Sequence, residues 1–156
     1  MELLRFPHKK IRAKVIENYL GTNKDVICFS CGNASRELKL TSLRVLDISP
    51  NGDLIPNRWF SKKEIKSKFP QYFDATSGHL DLDLMYAIGL AYKEYLGELP
   101  DVVYLPTGSG ETLVCLKLVY PNTKFIAVYN LDAATEYSEF CELNELVKCL
   151  AYEIIY

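Results

Sequence analysis

The segment DVVYLPTGSGETLVCLKL (101–118) constrains this chain more than any other. An apolar strand at Val102–Leu105 runs into the Gly-rich turn Pro106–Thr112, and a helix at Thr112–Val119 follows at once. Glycines permit the tight turn and let a ligand approach the backbone closely. The first amides of the helix have no internal partners and point outward, so they favour an anion. Thr107, Gly108, Ser109, Gly110, Glu111 and Thr112 are therefore candidate ligand-binding residues for an anionic small molecule.

The rest of the chain places that turn in an alternating pattern. Residues 11–20 have helical spacing and stop at Gly21, and Asp25–Ser30 reads as a short strand. Gly32-Asn33 then turns into a helical stretch over 34–40, and Leu43–Ile48 is a second strand. A capping box at Ser61–Glu64 opens a short basic helix to Lys68, and Phe69–Leu80 is irregular. Asp81 or Asp83 opens the longest helix, to Leu96, and a strand at Phe125–Tyr129 and a helix at Asn144–Ala151 complete the order. The alternation predicts a three-layer α/β fold, with a mainly parallel sheet of four or five strands and helices on both faces. No repeat or linker divides the chain, so residues 1–156 read as one domain. Sites in such sheets lie beyond the C-terminal strand ends, where the turns after Ser30 and Leu105 both fall.

Charge and cysteine usage narrow the function classes. A formal net charge of −2 argues against a protein held to nucleic acid by bulk charge. The basic stretch Arg58–Lys68, with Trp59 and Phe60, reads as a solvated helix face over tucked aromatics. No apolar stretch is long enough to span a bilayer, and the N-terminus lacks the apolar run of a signal peptide. Cys28, Cys115 and Cys149 lie in apolar stretches and read as reduced core residues of a cytoplasmic protein. Cys28 and Cys31 form a CxxC whose first member lies inside a strand, which fits packing better than redox chemistry. The acidic residues Asp132, Glu136, Glu139, Glu142 and Glu145 oppose a basic N-terminus, a complementarity that supports self-association. Their spacing is not that of a Ca²⁺ loop, and no metal is expected.

Two motifs compete for the turn. PTGSGET differs at one residue from a helicase-type P-loop, PTGSGKT, but that residue is the phosphate-reaching lysine. Glu111 places a negative charge there instead, and no later acidic DExx-type strand follows.

A longer stretch, residues 86–130, resembles the fold-type II family of pyridoxal-phosphate enzymes, which includes threonine synthase, serine dehydratase and cysteine synthase. Pro100-Asp101-Val102-Val103, the loop Thr107–Gly110 and Pro121-Asn122-Thr123-Lys124 follow that family's order of strand, phosphate loop, helix and strand. Upstream, Ser30-Cys31-Gly32-Asn33 looks like the family's Ser-x-Gly-Asn loop, and Lys9-Lys10-Ile11-Arg12 is similar to its Phe-Lys-Ile-Arg stretch. The resemblance implies pyridoxal phosphate as cofactor, Lys10 as the Schiff-base lysine with Lys9 as the fallback, and Ser30, Gly32 and Asn33 in the cofactor site. It also implies lyase or β-replacement chemistry on an amino acid or amine. For Lys10 to act as nucleophile its pKa must fall, which burial or neighbouring Lys9 and Arg12 would bring about.

The irregular stretch before the longest helix adds Thr76, Ser77 and Gly78 as substrate-binding candidates, with His79 as acid or base. The chain lacks the family's opening strands and the C-terminal part that faces the pyridine nitrogen, and Glu111 replaces a small residue. Two further readings therefore stand beside the first. One is a non-catalytic binding or accessory protein that kept the cleft, and the other is a nucleotide- or nucleoside-binding enzyme with a modified Gly-rich loop. A homo-oligomer or a partner chain completing the site is compatible with each.

Overall fold

In the computed structural model the described residues are 1–28, 33–47, 67, 69–75, 81–129 and 141–156. The first half builds α1 (His8–Leu20), β1 (Asp25–Cys28), α2 (Asn33–Lys39), β2 (Arg44–Asp47) and β3 (Phe73–Asp74). The second builds α3 (Leu82–Leu96), β4 (Val102–Thr107), α4 (Glu111–Val119), β5 (Lys124–Tyr129), α5 (Cys141–Leu150) and β6 (Glu153–Ile155). The fold is α/β with parallel strands. Among the described residues these form two three-stranded sheets, ordered β2-β1-β3 and β4-β5-β6, rather than one sheet of four or five.

Each sheet is centred on its most apolar strand. Val26, Ile27 and Cys28 of β1 are all buried, as are Phe125, Ile126 and Ala127 of β5. Such runs, apolar on successive residues, suit strands covered on both faces. In β1, Val26 pairs with Val45 on one side and Phe73 on the other. In β5, Ala127 pairs with Leu105 and Ile154. The N-terminal segment adds a bridge beside β4, where Leu4 N donates to Tyr104 O at 2.8 Å.

Helices join the two sheets into one core. α3 packs against both α1 and α4. Its start is fixed by Asp81, whose carboxylate accepts from Leu84 N at 2.8 Å, and it stops at Gly97, with φ +69°. Ile16, Val26 and Leu38 belong to the same buried cluster as Leu84, Ile88, Leu113, Leu116, Phe125 and Val147.

Several boundaries differ from those expected of the sequence. α1 begins at His8 rather than at residue 11, one turn earlier, which brings Lys9 and Lys10 onto the helix. β4 runs on to Thr107, and α4 starts at Glu111. β3 and β6 appear where no strand was expected, and Cys149, expected in the core, is exposed. Apart from residue 67, the basic helix expected over 61–68 lies outside the described residues. No helix among the described residues is long and apolar enough to cross a membrane.

Candidate functional site

The Gly-rich turn leaves the C-terminal end of β4 and enters α4 through Gly110. That residue is the helix N-cap and has φ +98°, a left-handed conformation that favours glycine. A Cβ at Gly110 would also stand 2.5 Å from Val147 Cγ2, so α5 closes that side of the turn. The other side is open, because Gly108 is exposed and nothing lies within 4 Å of where its Cβ would be. Thr107 is buried and donates its hydroxyl to Leu105 O at 2.9 Å. No side chain caps α4, although Glu111 N lies 3.4 Å from Ser109 Oγ as its acceptor.

Glu111 turns inward from the helix start. Its Oε1 accepts from Arg12 Nε at 2.6 Å, in an ion pair whose residues are only 4% and 3% exposed. Arg12 Nη2 donates to Ala75 O, just beyond β3, also at 2.6 Å. Burial opposes the Arg12 charge, but the Glu111 carboxylate outweighs it and holds the guanidinium above its ordinary pKa. Arg12 therefore ties α1 to the end of β3 and to the N-terminus of α4.

Two neighbours on the first turn of α1 share this environment. Lys9 is half-buried, and its ammonium is held below the ordinary lysine value by burial and then by the Arg12 charge, with Glu111 opposing. His8 is also held below its ordinary value, first by burial, against the effect of a 3.2 Å Nδ1 hydrogen bond with Phe6 O. His8, Phe6, Pro106 and Thr112 are among the residues lining a small cavity of about 120 Å³ on the flank of the turn.

The sequence candidates are placed unequally. Thr107 to Thr112 lie on the turn and the helix start that follows it. Lys10 is exposed, whereas its neighbour Lys9 is half-buried, one helical turn before Arg12. Asn33 is the exposed first residue of α2. Ser30 and Gly32 lie outside the described residues, as do Thr76, Ser77, Gly78 and His79.

Arg12 and His8 were not singled out from the sequence as site residues. Arg12 carried a signal, since a charged residue four positions before Ile16 lies on the apolar stripe of α1. His8 carried none, because it precedes the apparent helix.

No family model matches the sequence, and none of the curated proteins matches it. Among solved structures, the chain is similar to a threonine deaminase from T.th., with 18% identity and a TM-score of 0.46. The likeness covers 78% of this chain and 43% of that one, so the chain spans less than half the length of that protein.

Proposed function

We propose that this chain binds an anionic small molecule where the N-termini of α1 and α4 meet, and that pyridoxal phosphate is that molecule. The observation that carries the reading is Lys9: a half-buried amine with a lowered pKa, one helical turn before Arg12, whose buried ion pair reaches a Gly-rich helix start. Imine formation requires the neutral amine, which burial and a neighbouring cation both favour.

The residues fit the cofactor on two counts. Glu111 was the main obstacle to a phosphate, and its carboxylate is neutralised by Arg12. The open face at Gly108 leaves the backbone of Thr107–Gly110 approachable, and this turn would hold the phosphate. Lys9 would carry the covalent link, in preference to the exposed Lys10. Asn33, Ser30 and Gly32 would line the ring side, and Thr76, Ser77, Gly78 and His79 the substrate side. Bound pyridoxal phosphate supplies an electron sink, so the reaction class is lyase or β-replacement chemistry on an amino acid or amine. Lys9 Nζ would take and return the substrate proton.

The test is an absorption spectrum with added pyridoxal phosphate, then borohydride reduction and peptide mapping. A stoichiometric adduct on Lys9 is expected, lost in Lys9→Ala and kept in Lys10→Ala. Adducts scattered over exposed lysines would overturn the cofactor reading.

A second reading, binding without catalysis, is favoured by the exposure of Lys10, the residue that the motif resemblance implies as the Schiff-base lysine. Saturable binding without a reducible adduct would support it. The nucleoside reading depended on a pocket-facing Glu111, and the inward turn of that side chain weakens it.

A further inference from the structure

One donor of the buried pair is unused. Arg12 directs Nε to Glu111 and Nη2 to Ala75 O, but Nη1 is buried and has no partner among the described residues. An unmet buried donor costs about 1–3 kcal/mol, and more when the group is charged. A guanidinium meets that need most strongly with a carboxylate or phosphate oxygen.

The surroundings also favour an anion. α1, of 13 residues, and α4, of 9, both start without a side-chain cap. Their starts lie at one place, since His8 of α1 and Thr112 of α4 line the same small cavity.

The charge there selects the kind of anion. Arg12 is positive and Glu111 negative, so the buried pair is neutral as it stands and tolerates little further charge. Beside the desolvated guanidinium a monoanion costs less to bury than a dianion, whose place is the solvent-open face at Gly108.

We infer that Arg12 Nη1 is the contact for the carboxylate of a small-molecule ligand, with Glu111 as the positioning residue that holds the guanidinium in place. The inference rests on the reading that this pole is a ligand site. It does not require pyridoxal phosphate.

Acetate is the probe, with acetamide as its neutral isostere and sulfate as the dianion, each titrated by calorimetry and thermal shift. The wild-type protein is expected to bind acetate at least tenfold more tightly than acetamide or sulfate. Arg12→Met combined with Glu111→Leu removes both charges together and so strands neither, although Ala75 O loses its Arg12 donor, and the fold should persist while acetate binding weakens tenfold or more. Glu111→Gln raises the net charge of the corner by one and should shift preference toward sulfate about tenfold, a change that a purely structural role would not produce.

Equal acetate binding by the folded double variant and the wild type, or no binding by the wild type, overturns the inference. Arg12-dependent acetate binding without a pyridoxal-phosphate adduct leaves the inference standing and removes the cofactor. An adduct on Lys9 with acetate binding indifferent to Arg12 does the reverse.

Discussion

Arg12 and Glu111 each make the other's charge tolerable in the interior. Breaking a buried pair from one side leaves an uncompensated charge, at a cost of about 3–5 kcal/mol, whereas replacing both partners by apolar residues is often neutral. Arg12→Met alone is therefore expected to lower the urea midpoint sharply, and the double variant with Glu111→Leu to restore most of it.

Glu17 gives a second prediction at this scale. Its carboxylate accepts from Lys14 Nζ at 2.7 Å and from Ser42 N at 2.6 Å, and these bonds lower its pKa to about 2. A depressed folded-state pKa contributes stability that is complete above the unfolded carboxylate value, near 4.5, and is lost as pH falls toward 2. Urea midpoints measured from pH 6 down to 2 should fall less steeply for Glu17→Gln than for the wild type.

The Gly turn was legible residue by residue, because glycines and a following helix declare themselves locally. The choice between Lys9 and Lys10 was not. Adjacent helical residues point to different faces, so the phase of α1, fixed by packing, decides which lysine turns inward.

The elements divide along the same line. α3 was readable from Asp81 to Gly97 because its cap residues and its period agree. β3, with 2 residues, and β6, with 3, are too short to show any alternation. Both exist because β1 and β5 offer an unpaired edge to a passing segment, which is tertiary information.

Gly89 marks a close approach between two elements. A Cβ there would overlap the Cys115 carbonyl oxygen, so α3 and α4 meet backbone to backbone. Alanine would improve the helix by up to about 1 kcal/mol. The overlap falls on backbone that cannot rotate away, so Gly89→Ala should nonetheless destabilise by roughly 1–3 kcal/mol in urea unfolding.

For the whole molecule, the α/β class was legible from the order of elements, but the division into two sheets was not. Alternation predicts parallel pairing and is silent on which strands become neighbours. The site has the same character: its turn is local, whereas Arg12, Ala75 and Glu111 come from three distant parts of the chain.

That distance bears on how the protein is made. Arg12 and Glu111 are separated by 99 residues. At a synthesis rate of about 5–20 residues per second, the guanidinium waits roughly 5–20 s for its carboxylate. During that interval α1 cannot settle into its final burial without stranding a charge, so the N-terminal half is held back from premature collapse. The first helix is therefore expected to stay hydrated until the Gly-rich turn has emerged, which hydrogen exchange on chains halted before and after residue 111 would check.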